Sequence, residues 1–393
     1  MVELLAPAGT FLKLKTAFKF GADAVYFAGK KFGLRAFAGN FEDNEIEEAV
    51  KYAHSLNKKV YITVNILAHE ADFDGLKDYI LYLDKIGVDA LIVADVGIIK
   101  LIRDIAPNLD IHVSTQANVT NSYSVKFFKD LGVKRIVLAR ELSLTEIKKI
   151  HEEVPDIELE AFVHGAMCIS YSGRCLLSNY FTGRDSNRGA CVQACRWEYT
   201  ITEKSRQGQQ FPIEEDERGT YILNSKDLCM IKHLKELEDA GVCSFKIEGR
   251  MKSEYYVACT VNAYKRALNG EDIDVSELEK SSHRLFTTGF YFGEKDKECF
   301  ESSSPVQTHE FMALVLEDEK YGYVKIEQRN RFKVGDSLEV LSPDENFNKI
   351  IVVTEIKNLK GELIDDAKKV QEVLLLKTDL HLKEGDILRA KKL

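Results

Sequence analysis

The sequence predicts an α/β chain: a (β/α)8 barrel of the TIM type with a cysteine-rich insertion after its seventh strand, followed by a small C-terminal antiparallel β-barrel. Three observations predict it. From Val2 to Glu248, short β-rich runs alternate with amphipathic helical patterns eight times over. The connection between Val163 and Ser244 is eighty residues long, where a few loop residues and one helix would suffice. From Phe311 the texture changes to alternating strands split by Gly322, Gly335, Pro343, Gly361 and Gly385.

The candidate strands are Glu3–Ala6, Ala24–Phe27, Val60–Val64, Leu91–Ala94, Ile111–Ser114, Ile136–Ala139, Leu159–Val163 and Ser244–Ile247. Between them apolar residues recur at helical spacing, as in Ile46, Ala49, Val50, Ala53 and Leu56, or Leu76, Ile80, Leu83 and Ile86. Gly21, Gly87, Gly132 and Gly241 each follow a helical pattern and precede an apolar run, as a left-handed helix C-cap does. A doubly wound open sheet is less favoured, because no Gly-x-Gly-x-x-Gly turn follows the first strand. The domains are expected at 1–300, with the insertion at about 165–240, and at 306–393, past the joint Ser302-Ser303-Ser304-Pro305. In the tail, Phe332-Lys333-Val334-Gly335-Asp336 and Leu382-Lys383-Glu384-Gly385-Asp386 read as paired turns.

In a barrel of this kind the ligand site lies at the C-terminal strand ends. Here those positions carry Pro7, Tyr26, Asn65, Asp95, Gln116, Arg140, Glu141, His164, Glu248 and Arg250. The candidate catalytic residues are His164, Glu248 and Arg250. The candidate substrate-binding residues are Arg35, Tyr26, Asn65, Gln116, Arg140 and Arg188. Each has a plainer reading as a strand end where polarity begins, or as a surface ion pair.

At 393 residues, 45% apolar and 30% charged, the chain has a globular composition. Met1-Val2-Glu3-Leu4 puts an acid where a secretory signal carries basic residues, and no stretch approaches the roughly 20 consecutive apolar residues of a membrane span. The expectation is a cytoplasmic protein with reduced thiols and no membrane partner. A net charge of -9 argues against indiscriminate coating of nucleic acid and leaves a local basic site open.

Five of the eight cysteines, Cys168, Cys175, Cys191, Cys195 and Cys229, fall in the long connection. Between 165 and 206 it also carries six basic residues, Arg174, Arg184, Arg188, Arg196, Lys204 and Arg206, against three acidic ones, Asp185, Glu198 and Glu203. Clustered cysteines in a reducing compartment point to metal or cluster ligands rather than disulfides. Irregular long spacing fits an iron–sulfur cluster at least as well as zinc, whose structural sites favour two tight Cys-x-x-Cys pairs that this chain lacks. Cys191 and Cys195, four apart, would share one face of a helix. Cys229 follows Asn224-Ser225-Lys226-Asp227, a helix-start pattern that would set its thiol near a helix N-terminus. Cys243, Cys259 and Cys299 read as single cysteines packed as small apolar residues.

The run Glu160-x-Phe162-x-x-Gly165-Ala166-Met167-Cys168, continued by Gly173-x-Cys175-x-Leu177-Ser178, resembles the signature of the collagenase-like U-32 peptidase family. The resemblance extends through Leu5-Ala6-Pro7-Ala8-Gly9, Gly183-Arg184-Asp185-x-Asn187-Arg188-Gly189, Asn224-Ser225-Lys226-Asp227-Leu228-Cys229 and Lys246-Ile247-Glu248-Gly249-Arg250-Met251-Lys252-Ser253. It implies an enzyme. Members with this barrel, cysteine set and tail resemble the prephenate-dependent tRNA uridine hydroxylation proteins, which make 5-hydroxyuridine at the wobble position of the anticodon. Other relatives hydroxylate ribosomal RNA, or take part in oxygen-independent ubiquinone hydroxylation and hold 4Fe-4S clusters.

On that resemblance the ligands of a 4Fe-4S cluster would be Cys168, Cys175, Cys191 and Cys229, with Cys195 as substitute and zinc as the alternative metal. Prephenate would be a co-substrate and tRNA the partner. The two carboxylates of prephenate suit guanidinium groups, so Arg35, Arg140, Arg188 and Arg250 are candidates to hold them or an RNA phosphate. Tyr26, Phe41 and Trp197 are candidates to stack an extruded uridine. The first alternative is a collagenase-like peptidase: neither His-Glu-x-x-His nor Gly-x-Ser-x-Gly is present, but His164 lies four residues from Cys168. The second is hydroxylation of ribosomal RNA or another substrate, or a non-enzymatic cluster-bearing scaffold.

Overall fold

The computed structural model describes residues 2–30, 32–33, 39–168, 170–186, 189–197, 215–216, 219–220, 226–293 and 305–392. Seven strands run in order: β1 (Glu3–Pro7), β2 (Ala24–Phe27), β3 (Lys59–Val64), β4 (Ala90–Val93), β5 (Asp110–Val113), β6 (Arg135–Val137) and β7 (Glu158–Ala166). Within the long connection comes β8 (Asp227–Cys229), and at its end β9 (Val242–Ile247). Each of β1 to β6 pairs in parallel with the next, and β9 pairs in parallel with both β7 and β1, so eight strands close into the predicted barrel. The helices are α1 (Phe11–Lys19), α2 (Asp43–Ser55), α3 (Leu76–Lys85), α4 (Val96–Ile105), α5 (Ser122–Asp130), α6 (Leu144–Glu153), α7 (Leu177–Thr182), α8 (Leu234–Asp239) and α9 (Glu254–Leu268). The expected helical stripes are buried over Ile46, Ala49, Val50 and Ala53 on α2 and over Leu76, Ile80 and Leu83 on α3, while Leu56 and Ile86, the C-cap residues of these helices, are exposed and half-buried respectively. Gly21, Gly87, Gly132 and Gly241 take φ of 106°, 80°, 76° and 95°, the left-handed turns from which the chain enters the next strand.

Strand β7 has two partners. Its first seven residues lie in the barrel, and its end, His164 to Ala166, pairs antiparallel with β8 in the register Ala166 to Asp227, Gly165 to Leu228 and His164 to Cys229. Gly165, at φ 103°, permits the departure from the barrel. This corrects the helix expected at Cys229: Asp227 to Cys229 are strand, because pairing with β7 satisfies a backbone that a helix start would otherwise satisfy. Nor do Cys191 and Cys195 share an α-helix. Cys191 lies in irregular chain and Cys195 in the short 3-10 turn Ala194–Arg196.

The chain packs as two units, one of Met1–Leu14, Ala22–Met251 and Arg284–Pro305, the other of Lys15–Gly21, Lys252–His283 and Val306–Leu393. In the second, an eight-stranded antiparallel sheet forms a half-barrel in the spatial order Ile350–Val352, Ser337–Leu341, Ile387–Lys391, His309–Lys320, Tyr323–Gln328, Val373–Lys377, Ile356–Asn358, Leu363–Ile364. Val315, Val324, Ile326, Leu338, Val340, Leu374 and Leu376 fill its core. The fully buried Arg389 donates to Glu339 (2.7 Å), Glu277 (2.9 Å) and Asn348 (2.7 Å), so its charge is paired. Among the described residues, no helix is long and apolar enough to cross a membrane.

Candidate functional site

Strand alternation sends every second side chain into the barrel. On the β1 to β4 side the interior is apolar and aromatic: Leu5, Ala24, Tyr26, Tyr61, Ala90 and Ile92. On the other side it is ionic. Glu160, with no exposed surface, accepts from Lys246 Nζ at 2.7 Å, Arg135 at 3.1 Å and Ser244 Oγ at 3.3 Å. Arg135 also reaches Glu3 (2.6 Å) and Glu158 (2.7 Å), and Glu3 takes the Tyr61 hydroxyl at 2.6 Å. Burial pushes the Glu160 carboxyl up, and the charges of Lys246 and Arg135 more than offset it, so the group is held below its ordinary value. His112, edge-on to the Tyr61 ring, is held well below its ordinary value by burial and then by the Arg135 and Lys246 cations, and is neutral.

At the C-terminal strand ends this lattice rises into the mouth. Lys246 Nζ lies 4.4 Å from the centre of the Tyr26 ring. The Tyr26 hydroxyl donates to the Ile247 carbonyl at 3.0 Å and to Glu248 Oε2 at 3.4 Å. Arg140 sits over the Phe162 ring at 3.9 Å, donates to the Ala166 carbonyl at 2.8 Å and brings its other nitrogen to 3.8 Å from Glu248. Arg250, buried, donates to Thr63 Oγ1 (3.3 Å) and Asn40 Oδ1 (2.8 Å). Asn65 donates to Gln116 at 2.8 Å. A Cβ at Gly9 would come within 2.6 Å of the Arg250 carbonyl oxygen, so the first βα turn is packed against the last strand end.

The structure thus brings Tyr26, Arg140 and Glu248 into contact, pairs Asn65 with Gln116, and holds Arg250 through Thr63 and Asn40. His164 is buried, its carbonyl accepting from the Glu248 N–H at 2.9 Å and its ring 5.6 Å from that of Phe286. Arg35, Arg188 and Cys299 lie outside the described residues. Asp95 has the plainer role: its carboxylate caps α4 by accepting from Gly97 N and Ile98 N. Sequence reasoning missed Glu3, Arg135, Glu160 and Lys246 as one lattice. The available signal was a charged residue set singly within runs that are otherwise apolar and buried.

Of the cysteines in the connection, Cys168 and Cys191 are exposed, Cys175 and Cys195 half-buried and Cys229 buried. None is in a disulfide, so as donors they suit an iron–sulfur cluster in kind. Among the described residues no three His, Cys, Asp or Glu side chains converge on a point that could hold a metal ion. Nor do His164 and Cys168 form a buried pair, since His164 is buried and Cys168 exposed; the β7–β8 register sets Cys229 opposite His164.

The model of Peptidase family U32 matches residues 9–301, and that of the Peptidase family U32 C-terminal domain matches residues 307–389. The tRNA hydroxylation protein P1 of Bacillus subtilis (strain 168) is 40% identical over 404 residues, covering 99% of this chain and 95% of that protein. The tRNA hydroxylation protein P of Escherichia coli (strain K12) is 39% identical over 412 residues, covering 92% and 90%. The 23S rRNA 5-hydroxycytidine C2501 synthase of Escherichia coli (strain K12) is 41% identical over 281 residues, 72% of this chain and 41% of that protein. With its barrel and its C-terminal unit both matched, the chain belongs to peptidase family U32.

Proposed function

We propose that this chain is an enzyme that hydroxylates RNA, and specifically that it converts the wobble uridine of tRNA to 5-hydroxyuridine with prephenate as co-substrate. The observation that carries the reading is the near full-length identity to two tRNA hydroxylation proteins, which spans the polar mouth and the C-terminal unit alike. The mouth supplies what such a reaction asks of the protein. Arg140 and Arg250 are guanidinium groups suited to carboxylate or phosphate. Glu248, beside the Tyr26 hydroxyl, is an acceptor placed to orient a base edge or to hold a proton. Replacing a C–H bond of the base with C–OH withdraws two electrons and adds an oxygen atom, so a co-reactant must enter this mouth along with the RNA.

Cys168, Cys175, Cys191 and Cys229, with Cys195 as substitute, are proposed as the ligands of a 4Fe-4S cluster on donor chemistry alone. Iron and acid-labile sulfide assays on anaerobically purified protein test this, with Cys175→Ala losing both and Cys243→Ala keeping both.

Nucleoside mass spectrometry of tRNA from cells lacking the gene, complemented with wild type or Glu248→Gln, tests the main reading. Restoration of 5-hydroxyuridine by wild type and not by the variant supports it; an unchanged profile in the deletion strain refutes it. A second reading, a peptidase, would draw its nucleophile from Cys229 facing His164. The burial of Cys229 weighs against access by a polypeptide. Cleavage of gelatin by wild type and not by Cys229→Ser would favour it.

A further inference from the structure

From the connection after β7 we infer a second RNA-contacting surface: the rings of Tyr180, Phe181 and Trp197, with Arg174, form a stacking platform for an unpaired stretch of RNA flanking the nucleotide that enters the mouth. This inference rests on the RNA reading and deepens it.

The rings are exposed together. Tyr180 is 83% exposed, Phe181 47% and Trp197 39%. The Tyr180 and Phe181 centroids are 5.3 Å apart, and those of Phe181 and Trp197 6.3 Å. Elsewhere the exposed aromatics include Tyr123 and Phe127 on α5 and Tyr321 in a turn of the C-terminal unit.

The segment beneath the rings is held firmly. The buried Ser178 hydroxyl donates to the Arg184 carbonyl at 2.7 Å and accepts from Val192 N at 3.1 Å, and Ser186 Oγ donates to the Cys175 carbonyl at 2.7 Å. A surface so pinned loses little conformational freedom when it binds.

Its root is the mouth itself. Asn118 Nδ2 donates to the Ser172 carbonyl (3.0 Å) and to the Gln116 carbonyl (2.8 Å). Gly173 lies so close to Gln116 that a Cβ would meet it at 3.2 Å. Gln116 in turn accepts from Asn65. A strand of RNA whose one base enters the barrel therefore has its neighbours led over residues 171–181.

Charge selects the partner. In a chain of net charge -9, residues 165–206 carry six basic against three acidic residues, and Arg174 and Arg184 are exposed in the segment that carries the rings. Rings among cations suit unpaired bases on a phosphate backbone, because every base offers a stacking face. A duplex hides those faces, so an RNA loop fits the surface and a helix does not.

Fluorescence anisotropy with the full-length protein tests this, using a labelled tRNA anticodon hairpin and a blunt RNA duplex of equal length. We expect the hairpin to bind more tightly than the duplex. Each of Tyr180→Ala, Phe181→Ala and Trp197→Ala should weaken hairpin binding by about 10-fold, and Arg174→Ala should lower the salt-dependence slope by about 0.7. Because these side chains are exposed, thermal unfolding should match wild type. Variants that bind the hairpin as wild type does, or equal binding of duplex and hairpin by wild type, overturn the platform. So does sedimentation in which the ring variants dissociate an oligomer while hairpin binding is unchanged. If wild type restores 5-hydroxyuridine in cells while the ring variants bind normally, the platform alone falls. If wild type neither binds RNA nor changes any nucleoside, the RNA reading falls with it.

Discussion

Replacing Lys246 with Met tests the ionic half of the barrel interior. Glu160 presents two oxygens to a fully buried space. Oε2 is shared by Arg135 and Ser244, whereas Oε1 takes Lys246 Nζ at 2.7 Å. Three cations, Arg135, Lys246 and Lys134, here face three carboxylates, Glu3, Glu158 and Glu160, and Lys134 reaches only the half-buried Glu158. Lys246→Met leaves Glu160 to Arg135 alone, with an oxygen that has lost its donor where water does not reach. Breaking a buried pair on one side costs about 3–5 kcal/mol, a large part of the roughly 5–15 kcal/mol that holds a domain folded. Replacing both partners, as in Lys246→Met with Glu160→Leu, removes the stranded charge and should recover about 2 kcal/mol or more. Urea unfolding at neutral pH and low salt, followed by circular dichroism, reads both values provided the slope against urea is constant. A single-variant loss below about 1 kcal/mol, or a double variant no more stable than the single one, would refute the claim that Lys246 neutralises Glu160.

Other outcomes follow from the same geometry. His112 is neutral in the fold and takes up a proton on unfolding below about pH 6.5, so stability falls as pH drops, by up to about 1.4 kcal/mol per unit; wild type should lose ground to His112→Phe between neutral and mildly acidic pH in urea titrations, and parallel curves would contradict it. Glu160 runs through a lower window. Its folded pKa is depressed, so its contribution is present above the ordinary carboxylate range and lost as pH falls through the depressed value, a loss that Glu160→Gln should not show. Gly9→Ala forces a methyl against the Arg250 carbonyl and should cost about 1–3 kcal/mol in urea unfolding and depress 5-hydroxyuridine levels; a silent substitution would show that this contact yields. Arg140→Lys keeps the charge but loses the planar group over Phe162, and should lower product formation about tenfold or more with stability within about 1 kcal/mol of wild type.

The barrel was legible because its strands are buried on both faces and therefore read as near-continuous apolar runs. The Gly-capped helix ends marked where those runs begin. What depended on distant partners was not legible. The end of β7 and the whole of β8 are strand because they meet across some sixty residues of chain, with Phe286–Thr287 pairing on the other side of β8, and the local signal at Asn224-Ser225-Lys226-Asp227 pointed to a helix instead. At the mouth the polar strand ends were visible, but which of them touch was not: Tyr26, Arg140 and Glu248 converge, while Asp95 attends only to its own helix. Trp197 was visible as an aromatic; its grouping with Tyr180 and Phe181 depends on how the chain folds back from α7.

The ladder between β7 and β8 bears on how such a chain can change over generations. Ala166 and Asp227 stand opposite each other, about 5 Å apart as neighbouring strands are, and the barrel ring closes through β7 and β9 without passing through the residues between them. Residues 167–226 are therefore a cassette whose two ends leave the rim side by side. Lengthening it, shortening it or exchanging its contents leaves every strand pairing of the barrel in place. New substrates can be reached by rewriting the cassette while the ring that carries the mouth stays closed.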